Sequence, residues 1–383
     1  MRARGNDRAV IVGAGNTKRW DAPGRSAFDQ LQEAVILALE DCGLQLHDVD
    51  GLFCALSSSG LPTLNVAERL GIRPRHADGT MVGGASFLFQ LQSAVAALEA
   101  HLCDVALICY GSNQRSAGGK LLSMPDPQPY EQPYRPLYPL SSYALAAARH
   151  MFEYGTTREQ LAHVAVAARQ WAMLNPAAMM REPLTVEEVL ASRMISDPLT
   201  KMDCCLVTDG GAALVLTRAD RARDLKQPPI NVLGAGVAIS HRQIAAMPDL
   251  TTTAAVQSSA AAYRMAGLGP KDIGHVMVYD AFTITTILFL EDLGFCPKGE
   301  AGAFVESGAI KPGGSLPVNT NGGGLSCNHP GMYGLFTLLE SVEQLRGTAG
   351  ERQVKNLDVS LAHANGGVLS SQATAILGSP STL

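Results

Sequence analysis

The 383-residue sequence predicts a layered α/β protein built from two related halves. Three observations carry that prediction. Segments that read as strands alternate with segments that read as helices, the pattern of sheets covered by helices. The same short motifs occur twice in the same order, which implies pseudo-twofold symmetry. One stretch, from about residue 112 to 200, has no counterpart in the second half and reads as an insertion.

The elements follow in order. "AVIVGAGNT" from Ala9 and "INVLGAGVAI" from Ile230 each read as a strand running into a glycine turn, and both contain Gly-Ala-Gly. A helix is predicted next, from Ser26 to about Leu44, with Phe28, Leu31, Val35 and Leu39 on one face and Ser26 with Asp29 as a capping pair. "GLQLHDVDGLF" from Gly43 pairs with "GLGPKDIGHVM" from Gly267. "GGASF" from Gly83 pairs with "GGLSC" from Gly323, each read as a Gly-Gly-x-Ser turn opening a helix. "DVALICYG" from Asp104 then matches "DVSLAHANG" from Asp358. The halves are placed at 1–229 and 230–383. Within the insertion, "SMPDPQPYEQPYRPLYPL" from Ser123 carries prolines that exclude helix and central strand. "TREQLAHVAVAARQWAMLN" and "TVEEVLASR" read as helices. An insertion of this size on a doubled core reads as a lid or binding loop, so substrate contacts are expected there.

Composition narrows the partners. With 46% apolar residues the chain is globular, and 30 Lys and Arg against 35 Asp and Glu are intermixed, with no basic stripe for nucleic acid and no polybasic run for a membrane surface. The N-terminus lacks a hydrophobic signal core, and charge interrupts each apolar stretch before it can span a bilayer, so a cytoplasmic protein without membrane insertion is expected. The eight cysteines form no CxxC pair and no zinc spacing. They read as reduced core residues, and no metal is expected.

The candidate chemistry gathers around "NTNGGGLSCNHPGMYG", Asn319 to Gly334, ahead of the helical "LFTLLESVEQL". Main-chain N–H groups at a helix start attract negative charge, and glycines let a ligand approach the backbone. His329 is therefore a candidate catalytic group, against the reading of a capping loop histidine. Asn321 reads as orienting the loop backbone. Tyr333, four residues after His329, is placed on its face, with helix packing as the competing reading. Tyr279 closes the apolar strand "HVMVYDAF", and His363 lies in the matching strand of the second copy. Strand ends are where α/β sites collect, although a buried tyrosine there is also common. Cys327, two residues from His329, is either a nucleophile or a small packed residue. Asp280 reads as a structural cap.

Together with the doubling, "TDGGAALVL", "YDAFT", "NGGGLSCNHPG" and "AHANGG" resemble the thiolase superfamily over nearly the whole chain, and "MISDPLTKMDCCLVTDGGAA" is similar to its sterol-carrier-protein and lipid-transfer-protein branch. The resemblance implies two five-stranded sheets stacked with helices into a five-layered α/β/α/β/α sandwich, and an inserted loop domain that binds acyl-CoA. It also implies a homodimer and a CoA thioester as substrate, with no covalently bound cofactor. By the same resemblance, Gly84 stands where thiolases carry their nucleophilic cysteine. His363 stands at their second, acid/base cysteine, His329 at their loop histidine, and Tyr279 at the residue that fixes a catalytic water. Gly84, Ser86, Asn321 and Gly367 are the expected oxyanion and loop positions.

Thiolysis needs a thiolate to hold the acyl group, and glycine supplies none. Retro-aldol cleavage of a β-hydroxyacyl-CoA needs only a group that takes the hydroxyl proton and donors that hold the departing enolate. The chain resembles the thiolase-like aldolases of steroid side-chain breakdown, which lack the cysteine, use tyrosines, and work with a small OB-fold/zinc-ribbon partner protein. Two alternatives stay open: an acyltransferase using Cys327 or another thiol, and a noncatalytic acyl-CoA-binding subunit.

Overall fold

The computed structural model describes residues 7–119 and 129–382; residues 123–128 of the proline-rich run lie outside the described residues. The first half runs β1 (Ala9–Asn16), α1 (Ala27–Cys42), β2 (Gly51–Cys54), α2 (Pro62–Leu70), β3 (His76–Asp78), α3 (Ser86–Glu99) and β4 (Val105–Ser112). After β4 come α4 (Gln114–Gly118), α5 (Leu140–Tyr154), α6 (Arg158–Met173), α7 (Val186–Ala191) and the hairpin β5 (Met194–Ser196) and β6 (Leu199–Thr200). β7 (Gly210–Arg218) returns to the sheet and α8 (Ala219–Ala222) follows it. The second half is β8 (Ile230–Ile239), α9 (Ala255–Ala266), β9 (His275–Val278), α10 (Thr283–Asp292), α11 (Ala301–Glu306), α12 (Gly334–Leu345), β10 (Val359–Gly366) and β11 (Ser371–Gly378).

The strand order β3-β2-β4-β7-β1-β8-β11-β10-β9 is two copies of one pattern joined at a corner. In the first, β2 runs parallel to β3 and β4, while β7 runs antiparallel to β4 and β1. In the second, β9 is parallel to β10, and β11 is antiparallel to β10 and β8. A parallel bridge from Val276 to Val318 stands where β3 would have its counterpart. The two sheets are joined through Val10 paired with Asn231 and Ile11 with Ile230. Helices α3 and α12 touch strands of both copies and form the middle layer; α1 covers β1, β4 and β7, and α9 covers β8 and β11 from outside. That arrangement is the five-layered sandwich.

The capping pair is present: Ser26 accepts from the Asp29 N–H, and the Asp29 carboxylate accepts from the Ser26 N–H. The Gly-Leu signatures also fold alike. Gly43 (φ +79°) and Gly267 (φ +73°) end α1 and α9, and Asp48 and Asp272 each accept a backbone N–H three residues back, at Gln45 and Gly269. The Gly-Ala-Gly motifs correct an expectation, because they continue the strands instead of turning the chain. A Cβ on Gly13 or Gly15 would sit 2.3 or 2.1 Å from a carbonyl oxygen of α1, and one on Gly234 or Gly236 would sit 2.2 or 2.1 Å from one of α9. These glycines let an outer helix lie directly on its sheet.

The second Gly-Gly-x-Ser segment also departs from expectation. It forms a single wide helical turn, Gly323–Cys327, and α12 begins only at Gly334. His329 therefore sits in a connecting loop and not on the first turn of the helix. α6 packs on the wide turn and ties it down: Arg169 Nε donates to Ser326 Oγ at 3.0 Å, and beyond the helix Asn175 Nδ2 donates to the Asn321 carbonyl at 2.9 Å. Helix α5, directly after the proline-rich run, was not anticipated.

Candidate active site

The wide turn is built around a carboxylate. Asp280 accepts the N–H of Gly324 at 2.6 Å and of Leu325 at 3.3 Å, and a Cβ on Gly323 (φ +64°) would fall 2.0 Å from its Oδ2. Only glycine fits there. Burial pushes the Asp280 carboxyl up to about 7, against the opposing pull of those N–H donors.

The loop after the turn is fixed by residues of the first half. The His329 N–H donates to Thr208 Oγ1 at 3.1 Å, and the His329 carbonyl accepts from Gln114 Nε2 at 2.7 Å. The imidazole is thereby aimed at the end of β9. Its Nε2 lies 2.9 Å from the Tyr279 hydroxyl, which also reaches the Gly331 carbonyl at 3.2 Å. The rings meet edge to face, with centroids 5.4 Å apart. Burial holds the His329 imidazole down at about 4 and the Tyr279 phenol well above its usual range, so both are neutral at pH 7.

Both side chains line a cavity of about 560 Å³. Gly83, Gly84, Gly366 and Gly367 form one wall, and Met81, Ile239 and Phe282 supply apolar surface. The position of Gly84 is decisive. A Cβ there would lie 2.3 Å from Tyr279 Cε2 and 2.6 Å from the Asn365 carbonyl. The tyrosine ring fills the space that any side chain at residue 84 would need.

The remaining candidates are not all in this cavity. Gly84 and Gly367 line it, whereas Ser86 opens α3, with its Oγ donating to the Gly83 carbonyl and accepting the Val82 N–H. Tyr333 is fully buried behind His329, ring against ring at 6.2 Å, and its hydroxyl is engaged by Asn321 at 2.9 and 3.1 Å. Asn321 also accepts the Gly323 N–H and so braces the turn. Cys327 faces away from the cavity, and burial pushes its thiol far up. His363 is buried in β10 between Thr374 at 2.9 Å and Gln372 at 3.0 Å, with burial holding it at about 3.

Among the cavity residues that escaped the sequence reading are Tyr143 and Asn365. Tyr143, on α5, stacks on Phe282 with ring centroids 4.4 Å apart; its hydroxyl accepts from Asn365 Nδ2 at 2.8 Å and donates to the Gly367 carbonyl at 3.1 Å. Asn365 follows His363 by two residues and so shares its face of β10, a placement that strand alternation alone could have given. Among the described residues, no three His, Cys, Asp or Glu side chains converge as a metal-binding group, and no helix is long and apolar enough to cross a membrane.

Doubled half-sheets, a shared middle layer of helices and a glycine-walled cavity at the strand ends define a thiolase-fold protein, with a tyrosine ring filling the space over Gly84. Comparison with known proteins agrees. The Thiolase C-terminal domain-like family matches residues 236–379. An acetyl-CoA acetyltransferase of Methanothermobacter thermautotrophicus is 35% identical, over 94% of this chain and 96% of the relative. A steroid side-chain-cleaving aldolase of Thermomonospora curvata is 35% identical, over 89% of this chain and 91% of the relative. A solved Ltp2-ChsH2(DUF35) aldolase superposes with TM-score 0.89 at 32% identity, covering 98% of this chain and 99% of its own. The chain belongs to the thiolase superfamily, in the branch that holds these aldolases.

Proposed function

We propose that this protein cleaves a β-hydroxyacyl-CoA by a retro-aldol reaction in the cavity, with Tyr279 and His329 moving the proton. One observation carries the reading: the Tyr279 ring occupies the space over Gly84, and its hydroxyl is bonded to His329 Nε2. The names of the aldolase relatives support the same chemistry.

The substrate's β-hydroxyl gives its proton to Tyr279 Oη as the phenol passes its own to His329 Nε2. The Cα–Cβ bond breaks, the β-carbon becomes a carbonyl, and the electron pair moves into the thioester enolate. The pair then returns the proton to the α-carbon, so the products are a carbonyl compound and a shortened acyl-CoA. No covalent enzyme intermediate forms, which accords with glycine at residue 84 and with a Cys327 thiol kept protonated by burial. The apolar wall suits a bulky acyl chain, and the named relatives favour a steroid side chain. Homodimerisation and an OB-fold/zinc-ribbon partner belong to the same proposal. β4 is paired on both sides, so any pairing of sheets across a dimer falls to an end of the strand order, at β3 or β9.

His329→Ala and Tyr279→Phe test the assignment. Each is expected to lower kcat about 10²-fold or more with little change in KM, while Tyr333→Phe has a smaller effect. The assay is cleavage of a β-hydroxyacyl-CoA with and without the small partner. Wild-type rates in both His329→Ala and Tyr279→Phe would refute the lyase reading, and acyl transfer to CoA by the wild type would replace it with the acyltransferase.

A further inference from the structure

The buried histidine of β10, His363, is not among the residues that line the cavity, yet it begins a chain of hydrogen bonds that ends there. The polarity of that chain can be worked out bond by bond. Gln372 Nε2 donates to Asn365 Oδ1 at 3.0 Å, which turns Gln372 Oε1 towards His363. An amide oxygen only accepts, so His363 carries its proton on Nε2, and Nδ1 accepts from Thr374 Oγ1 at 2.9 Å. Asn365 Oδ1 is then occupied as an acceptor, and its Nδ2 donates to the Tyr143 oxygen at 2.8 Å. The phenol has one proton of its own and must donate it. Without substrate it rests on the Gly367 carbonyl at 3.1 Å, in the glycine wall of the cavity.

We propose that Tyr143 is a further catalytic residue, the hydrogen-bond donor to the substrate's thioester oxygen as it becomes an enolate, with His363, Gln372 and Asn365 as positioning residues that aim its proton. This rests on the retro-aldol reading, in which negative charge develops on two oxygens. Tyr279 and His329 serve the β-hydroxyl oxygen, so the thioester oxygen needs a separate donor. Two of the other hydroxyls in the wall are committed elsewhere: Ser371 Oγ donates to the Val82 carbonyl and Ser370 Oγ to that of Val368. Tyr143 is 2% exposed, and its ring is clamped on Phe282. Its donor is therefore fixed before substrate arrives, the condition under which one hydrogen bond is worth most in a transition state. The chain gives His363 a positioning role in place of proton transfer.

The test separates this inference from the lyase reading by using acetyl-CoA, which can form an enolate but has no bond to cleave. In D2O the wild type is expected to exchange the α-protons of acetyl-CoA, and Tyr143→Phe, which keeps the stacked ring, to exchange them about 10²-fold more slowly. Binding gives a second readout. The wild type should prefer acetyl-CoA over its thioether analogue, which lacks the carbonyl, and Tyr143→Phe should lose that preference. Asn365→Asp replaces the donor by an acceptor; it should slow exchange nearly as much although the phenol remains. Gln372→Glu breaks the chain one step earlier and serves the same purpose if Asn365→Asp unfolds. Slow exchange in Tyr143→Phe by a wild type that cleaves no β-hydroxyacyl-CoA would sustain the donor and sink the lyase. Exchange and binding preference unchanged in Tyr143→Phe would overturn the donor whatever the wild type cleaves.

Discussion

Adding one methyl group at residue 84 should disable the protein from inside its own wall. In Gly84→Ala the new Cβ meets Tyr279 Cε2 at 2.3 Å and Cζ at 2.7 Å, with the Asn365 carbonyl 2.6 Å away on the other side. Carbon atoms pack best at about 3.5–4 Å, so the ring must yield by roughly 1 Å. That movement stretches the 2.9 Å bond to His329 Nε2 towards about 4 Å, beyond hydrogen-bond range. Overpacking of this kind costs about 1–3 kcal/mol of stability. A misplacement of about 1 Å at a reacting group costs on the order of 10² in rate. Urea denaturation and kcat on a β-hydroxyacyl-CoA measure the two effects. Truncating the ring as well, in Gly84→Ala/Tyr279→Ala, should recover part of the stability lost by Gly84→Ala and none of the activity, because the carbonyl contact remains and the phenol is gone. Gly84→Cys should not produce fast thiolysis either, since its thiol enters the same occupied space. If Gly84→Ala matches the wild type in both stability and kcat, the reasoning about the occupied nucleophile position is wrong.

Iodoacetamide should leave activity essentially intact, because burial keeps both thiols protonated, that of Cys205, which lines the cavity, and that of Cys327, which does not; stoichiometric inactivation on alkylation of either would favour acyl transfer. His275, His329 and His363 are held at about 3, 4 and 3 by burial, below the ordinary 6.5, so from pH 6.5 down to 4 the unfolded chain takes up protons that the native protein refuses, and stability should fall as pH falls through that window. By the same shift His329 should contribute no inflection to kcat/KM near 6.5, and because Asp280 is itself pushed up to about 7 the check is an NMR titration of the imidazole: protonation of His329 near 6.5 would contradict its neutral resting state. In single-turnover cleavage the solvent isotope effect should vary with deuterium content as a curve and not a line, because two protons move together; a linear dependence means one.

The motifs revealed much of this architecture because each doubled segment has a local physical reason. Gly43 and Gly267 end helices with positive φ, and the aspartates after them cap the following turn, so two distant segments read alike because they fold alike. Gly13 and Gly15 were harder to interpret. Glycine signals both a turn and a close approach, and only the helix α1 lying on β1 tells them apart. In the site, Tyr279 and His329 were legible through their strand-end and glycine-loop settings. Tyr143 was not, because it comes from α5 in the insertion and meets Asn365, 222 positions away, only through tertiary packing. His363 was read as chemistry because it lies near a strand end. Its neighbours Gln372 and Thr374 come from β11, and that pairing cannot be read from β10 alone.

Burial decides how the proton moves. With burial raising the Tyr279 phenol well above its usual range and holding the His329 imidazole down at about 4, both groups rest neutral at pH 7. A standing phenolate is thus not available as the base. In the relay proposed above, Tyr279 receives the substrate's proton in the motion that delivers its own and remains neutral, so charge appears only on the imidazolium and the enolate. Those two charges then attract each other in a cavity that screens them less than water does. Each still needs a partner in place beforehand, because a dry wall offers no solvent to reorganise. A fixed hydroxyl such as that of Tyr143 answers the need on the enolate side, and a thiolate at residue 84 would place a further negative charge beside the enolate. Occupying that position with a neutral ring and leaving glycine beneath it therefore favours breaking a carbon–carbon bond over holding an acyl group.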